Sequence, residues 1–317
     1  METRHERNVQ RKLRLKQRKD DTAKALRSTP LRPINACGLQ TLQQALGLPL
    51  DPGLLPKEEA QEAKFEPESL DKSTSSGAGL SNFPDVPVTR GPAEAISKPI
   101  IPTPGGFDSQ EPEPLDVIFV AIDFEYSHYS PKTGRIRLRE VGISLLDTRD
   151  LLHQNISWDD AIFTQHYRTV TDMKTFLFGK SVDISQDELV DVLKRLLYLE
   201  DRSSESVRGL ILVGHGFGFD VKVLECLGLD LNLAPSVIEI FDTEFLGCEV
   251  LGRDFKSSLS NVVRETGISG GLYHNAGNDA NFSLRAMLLL ACHRCKTLKT
   301  NRTLQSRLEM CKKIAQF

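Results

Sequence analysis

The sequence predicts an α/β fold, a mixed sheet flanked by helices, with a long tail ahead of it. Three observations carry this. Short β-rich apolar runs come first between residues 117 and 295 and then alternate with segments of helical periodicity. Eleven of the sixteen prolines crowd into residues 51–116. Hydrophobic residues make up 39% of the 317, below the ~45–50% of a packed domain, so part of the chain is expected to stay outside any core.

Charge divides the chain in the same way. Residues 1–33 carry eleven Lys/Arg against four Asp/Glu, residues 34–50 carry none, and residues 51–116 carry thirteen acids against five bases. A Pro- and Glu-rich segment cannot bury enough apolar surface to offset its ordering entropy. Residues 1–115 are therefore expected to form a disordered tail, basic over 1–33 and Pro/Glu-rich over 51–115. The folded domain is expected over 116–297, with a helical extension over 298–317. The formal charge of −3 argues against a basic coat protein. No apolar run approaches the roughly 20 residues of a membrane span, and no secretory signal is read in METRHERNVQ. Six cysteines fit a reducing compartment, so nucleus or cytoplasm is the expected location. CHRC at 292–295 supplies only two of the four ligands of a zinc site.

Two stretches of the tail stand out. RKLRLKQRK (11–19) reads either as a nuclear import or phosphate-binding arm or as a solvated charge run. Leu39, Leu42, Leu46 and Leu48 fall at helical spacing, which reads either as a short helix that docks a protein partner or as a stretch that resembles a leucine-rich nuclear export signal.

The elements follow in order. VIFVAID (117–123), RIRLREVGISLLD (135–147) and IFTQHYRTV (162–170) read as strands, with PKTG (131–134) a turn between the first two. Ser185 and Glu188 form a capping box before Leu189, Leu193, Leu196 and Leu197, which share one helical face. LILVG (210–214) is a short buried strand, and DVKVLECLG (220–228) a helix ended by Gly228. VIEIFD (237–242) closes a five-stranded sheet. SLSNVVRETG (258–267) and DANFSLRAMLLLACHRC (279–295) read as helices.

Chemistry concentrates at the ends of these elements. Asp123 and Glu125 project from one face of the first strand, roughly 7 Å apart, at the strand end where open α/β folds place ligands. Facing carboxylates there repel one another unless a hard divalent cation sits between them. Asp220 follows a glycine-rich turn and opens a helix. His274 and Asp279 lie five apart where the last long helix begins, and a loop histidine with a reference pKa near 6.5 suits a proton acceptor. Each residue alone also has a plain structural role as a cap, turn or surface group. Glu140, on the strand expected beside Asp123, is a candidate to orient a ligand or water. Lys132, Arg135, Arg137 and Arg139 cluster on the second strand and its turn, where they read equally as a phosphate track or a charged edge.

The ordered set Asp123-x-Glu125, Asp220 and His274-x4-Asp279 resembles the DEDDh 3′→5′ exonucleases. REVGISLLDT (139–148) and IFDTEFL (240–246) are similar to that family's second strand and to its fifth strand with exit. The wording FGKS, VGHGFGFD and HNAGNDA resembles a fungal branch that includes an mRNA-export suppressor and an Argonaute-partner exonuclease. The resemblance implies an RNase H-like fold and hydrolysis of phosphodiester bonds of RNA or DNA, RNA ahead of DNA. It implies two Mg²⁺ or Mn²⁺ ions held by Asp123, Glu125, Asp220 and Asp279, with His274 as general base. The competing reading is a catalytically silent adaptor in ribonucleoprotein assembly or mRNA export, motivated by the charged tail and its leucines. No membrane contact is expected.

Overall fold

Strand β1 (Val117–Ser130) is the axis of the molecule. Alternation along it sends Phe119 and Ala121 into one core and Val120, Ile122 and Phe124 into another, so it is a central strand with both faces covered. Its antiparallel neighbour β2 (Arg135–Asp147) pairs Asp123 with Gly142 and Glu125 with Glu140. β3 (Phe163–Arg168) and β4 (Ser181–Asp183) extend the sheet beyond β2. β5 (Gly209–Gly214) and β6 (Val237–Asp242) extend it in parallel on the other side of β1. The order is β4-β3-β2-β1-β5-β6.

The computed structural model describes residues 38–49, 113–130, 135–152, 157–158, 160–170, 174–197, 208–234, 236–293, 295 and 302–316. Among these the sheet has six strands rather than the expected five. The additional one is β4, whose three residues pair with β3 from His166–Ser181 to Arg168–Asp183. A strand that short offers no periodicity to read.

Helix α1 (Gly38–Ala45) precedes the sheet. Helices α2 (Gln186–Leu197) and α3 (Gly218–Cys226) cover one face. The capping box of α2 is formed, with Ser185 N donating to Glu188 Oε2 at 3.0 Å and Glu188 N to Ser185 Oγ at 3.2 Å. Gly228, just beyond α3, has φ of 77°, the left-handed step that ends a helix. The other face holds α4 (Thr243–Leu251), α5 (Leu259–Glu265), α6 (Ala276–His293) and α7 (Arg302–Gln316). α4 begins where only a strand exit was expected. Asp242 ends β6 and caps α4 at once, accepting from Glu244 N at 2.9 Å. α6 is buried along almost its whole length, because α4, α5 and α7 enclose it against the sheet.

The expected tail needs correcting. Leu39, Leu42, Leu46 and Leu48 are fully buried and belong to the main core. Gln43 donates to Ala291 O at 3.1 Å, and Arg307 to Gly47 O at 2.6 Å. Each buried leucine contributes about 1.5–3 kcal/mol toward holding this twelve-residue strap. These four leucines therefore face their own chain and present no docking face to a partner. The expected C-terminal extension likewise joins this core, through Leu308, Cys311 and Ile314 of α7. The basic run 11–19, residues 51–112 of the Pro/Glu-rich stretch and Lys132 lie outside the described residues.

Candidate active site

Four separated pieces of chain converge where β1 leaves the core. Gly142 makes this convergence geometrically possible. A Cβ there would lie 1.8 Å from Ala276 O, so only glycine lets the first turn of α6 rest on β2. Asn275 caps that turn, accepting from Asn278 N at 3.1 Å. Asn278 then anchors the flanking loops, donating to Thr175 O and Leu272 O and accepting from Leu177 N at 2.8 Å. The first turn of α6 is thereby fixed over β1, and Asp279 with it.

All five residues singled out from the sequence line one cavity of about 640 Å³, within the range of small-ligand sites. Asp123 and Glu125 come from β1, Asp220 from the first turn of α3, and His274 and Asp279 from the loop and first turn of α6. Ligand atoms of Glu125, His274 and Asp279 lie within 4.8 Å of one another. Asp220 is not the cap of its helix, since Phe217 holds that place. Its Oδ1 accepts from Phe124 N at 3.2 Å, which turns the carboxylate toward β1. Asp279 Oδ2 accepts from His274 N at 2.8 Å, while its Oδ1 is buried with no hydrogen-bond partner.

The electrostatics are those of crowded acids. Burial, then the charges of Asp220, Asp279 and Glu125, push the Asp123 carboxyl well above the ordinary aspartate value of 3.8. Burial likewise lifts Asp220 well above it, against the Phe124 N–H that favours its charged form. Burial raises Asp279 to about 7, opposed by the His274 N–H and reinforced by Glu125. Repelling carboxylates with an orphaned oxygen are what a hard, oxygen-seeking divalent cation satisfies. The residues present fit such an ion, with carboxylate donors in excess and an imidazole beside them.

His274 is the one described non-glycine residue with positive φ, at 63°. That conformation is uncommon outside glycine, and such outliers gather at functional sites. Its N–H is fixed by Asp279, and its carbonyl accepts from Lys174 Nζ. The exposed ring is thus carried on a backbone tied at both ends.

Several contributors lie outside the five-residue pattern, and of these only Glu140 is a candidate from the sequence. Glu140 is wholly buried, and its Oε2 meets His166 Nε2 at 3.2 Å and Ala276 N at 3.3 Å. His166 Nδ1 in turn meets Ser181 Oγ at 2.8 Å. Glu140 thus links β2, β3 and β4 to the first residue of α6, while its Oε1 has no partner. Lys174 and His166 stand far from the acids in sequence, so no spacing marks them. His215 has both ring nitrogens engaged, with Thr243 Oγ1 and Ser257 O at 3.0 and 2.9 Å. Asp242 accepts from Gly216 N and Phe217 N, both at 2.9 Å, and so shapes the turn ahead of Asp220. Across the cavity, Lys256 and Ser257–Ser260 form the opposite wall. Cys292 and Cys295 form no disulfide among the described residues, and Cys295 Sγ meets Ala291 O at 3.2 Å.

A mixed sheet of this order, with an acid-lined cavity where the central strand meets the first turn of a buried helix, defines the RNase H-like class of nuclease folds. Within that class the chain belongs to the DEDDh_C family, described as DNA polymerase III subunit epsilon-like, C-terminal domain, whose profile matches residues 118–290. It is 24% identical over 177 residues to an uncharacterized nucleolar protein of Schizosaccharomyces pombe, covering 53% of this chain and 67% of that one. It is 27% identical over 187 residues to the Good for full DBP5 activity protein 2 of Saccharomyces cerevisiae, covering 50% of this chain and 33% of that one. The chain thus spans about two thirds of the first relative and a third of the second. Among solved structures it resembles E. coli ExoI in a zinc-bound complex with single-stranded DNA, at TM-score 0.35 and 12% identity, covering 54% of this chain and 40% of that one. It also resembles the RNase domain of yeast Pop2, at TM-score 0.28 and 13% identity, covering 56% and 75%. Among the described residues no helix is long and apolar enough to cross a membrane.

Proposed function

We propose that this chain is a divalent-metal-dependent 3′→5′ exonuclease acting on RNA or DNA, RNA ahead of DNA, and working in the nucleus or cytoplasm. One observation carries the reading. Four carboxylates and a histidine, drawn from β1, α3 and the start of α6, line a single cavity in the order that the family's pattern requires. Asp123, Glu125, Asp220 and Asp279 are assigned as ligands of two Mg²⁺ or Mn²⁺ ions. Bound cations of this kind neutralise charge on a phosphate and polarise water.

The chain's own residues do the rest. Burial of Asp220 and Asp279, at 7% and 9% exposure, keeps bulk water from competing for their oxygens. The Phe124 and His274 N–H groups orient those oxygens. His274, exposed beside Glu125 and Asp279, is assigned to take the proton of the attacking water, a role suited to imidazole near neutral pH. The leucines that favoured a silent adaptor are committed to the core, which weakens that alternative.

The test uses 5′-labelled single-stranded RNA and DNA of one sequence, with Mg²⁺, Mn²⁺ or EDTA, and compares wild type with Asp123→Ala. The expected result is a one-nucleotide ladder from the 3′ end that needs metal and is lost in the variant. Internal cuts, shortening from the 5′ end, or no cleavage of either substrate would reject the proposal.

A further inference from the structure

The candidate site poses a problem for its own substrate. A nucleic-acid strand is a polyanion, and the cavity gathers acids. Lys256 is the one lysine or arginine among its described lining residues, and Glu244 Oε2 already holds it at 2.7 Å. An anchor for the strand has to lie elsewhere. The outer half of the β1–β2 pair has the matching chemistry. From Tyr126 to Arg139 the chain carries four Lys/Arg and no acid.

That half, a two-stranded ribbon, pairs with no third strand among the described residues. β5 pairs with β1 only from Val117 to Ala121, and β3 with β2 only from Glu140 to Leu145. Two irregularities, between Glu125 and Tyr126 and between Tyr126 and His128, break the β1–β2 register at the root of the ribbon. Arg139 is the extra residue on β2 at the first of them, because Glu125 faces Glu140 while Tyr126 faces Leu138. An extra residue reverses which face the following side chains occupy. Val141 and Ile143 lie in the core under α2 and α3, and so do Leu138 and Ile136. Arg137 and Arg135 are thereby turned to the opposite face, the one that Asp123, Glu125 and α6 share. Both are exposed, and neither meets a carboxylate among the described residues.

The ribbon is also supported from behind. Gln186 accepts from Leu138 N and donates to Ile136 O, both at 3.1 Å. α2 packs beneath Ile136 and Leu138. The arginines therefore project from a braced surface at fixed spacing, roughly 10 and 17 Å along the strand from Glu140.

Resting on the nuclease reading above, we infer that Arg135 and Arg137 form a phosphate track that holds the body of a single-stranded substrate while its end occupies the acid-lined cavity. The contact is with backbone phosphates, so it is indifferent to base sequence and sensitive to salt.

Fluorescence anisotropy of the full chain tests this in EDTA, where binding is read without turnover. The probes are labelled oligouridylates of 2 and 16 nucleotides, titrated at several salt concentrations. Arg135→Ala/Arg137→Ala is expected to bind the 16-mer about tenfold more weakly. Its salt slope should fall by roughly 1.4, two contacts at ~0.7 each for a single strand. Binding of the 2-mer, too short to reach the ribbon, should not change. Arg135→Lys/Arg137→Lys should keep most of the slope, which separates lost charge from lost fold. A 16-mer affinity and slope equal to wild type in the alanine pair would overturn the inference, as would a loss equally large for the 2-mer. Hydrolysis of p-nitrophenyl thymidine 5′-phosphate by wild type with Mn²⁺ reports the cavity separately. If it fails while the 16-mer result holds, the nuclease reading falls and the track stands.

Discussion

At one end of the β1–β2 pair, Asp116 and Asp147 face two arginines. In the cavity midway along the same pair, Asp123, Asp220 and Asp279 gather, short of the outer ribbon that carries Arg135 and Arg137. Arg208 Nη1 donates to Asp147 Oδ2 at 2.6 Å, and Arg149 Nη2 to Asp116 Oδ2 at 2.8 Å. The Arg149 hydrogen bond leads in holding Asp116 below the ordinary carboxylate value. Burial pulls Asp147 upward, but its hydrogen bond to Arg208 and the one from Arg149 N outweigh it. At the cavity the Asp123, Asp220 and Asp279 carboxyls are all shifted upward. The same two strands thus carry one cluster whose acids arginines hold down and one whose aspartates are pushed up by burial and neighbouring acids. Aspartates raised in that way are the set that an external cation suits.

The sharpest way to break this comparison is to neutralise an acid in each cluster. Asp279→Asn should cut hydrolysis on the order of 10³-fold or more, comparable to deleting a group that stabilises transition-state charge. The same variant should raise the melting temperature of metal-free protein at pH 7.5 by a few degrees, because it removes a repelling charge. Asp147→Asn should do the reverse, leaving hydrolysis intact and lowering the melting temperature. Steady-state assays and calorimetry on both variants check this. A fall in metal-free stability for Asp279→Asn would mean that the cavity acids are compensated after all.

A second effect concerns position rather than charge. Glu140 touches Ala276 N, and His166 holds Glu140. Glu140→Gln and His166→Ala should each lower activity by about 10–100-fold, the usual cost of losing the support behind a metal ligand. The loss should appear mainly as a higher Mn²⁺ concentration for half-maximal rate. A change in kcat alone, at unchanged metal dependence, would place Glu140 outside the support of the site.

Much of this was legible in the sequence, and the remainder has physical reasons. β2 and β6 run from Arg135 to Asp147 and from Val237 to Asp242, as their alternation and apolar character indicate. Ser185 and Glu188 mark the start of α2 because a capping box is local chemistry. The five cavity residues were found because each follows an apolar run or stands where a helix begins, although β1 runs on to Ser130 and so holds Asp123 and Glu125 mid-strand rather than at the expected end. The strap over 38–49 was missed because twelve uncharged residues between two charged segments look like more tail. Its partner surface lies about 250 residues away, on α6. The Glu140–His166 contact spans two strands and leaves no spacing to read. The face of Arg135 and Arg137 depends on a bulge at Arg139, which strict alternation does not anticipate.

The smallest predicted effects are pH-dependent, and they have opposite signs in the two clusters. Asp279 titrates near 7 in the fold against 3.8 as its ordinary value, so the folded state binds more protons between those values. Metal-free stability contributed here is present below about pH 3.8 and is lost as pH rises toward 7. Asp123 and Asp220 act in the same direction. His215, whose pKa burial lowers from 6.5, opposes them only as pH falls through that value. Saturating Mg²⁺ or Mn²⁺ should flatten the decline, because a bound cation displaces those protons. Asp116 and Asp147 have depressed values, so their contribution is present above about pH 3.8 and is lost on further acidification. Arg208→Ala should remove that acid-side loss and cost about 1 kcal/mol at neutral pH, a modest figure because solvent screens the exposed Asp116. Melting curves of wild type and Arg208→Ala from pH 3 to 8, with and without Mn²⁺, read both clusters in one experiment. An Mn²⁺ effect confined to the acid side, or an Arg208→Ala effect confined to neutral pH and above, would show that the two clusters do not divide the work in this way.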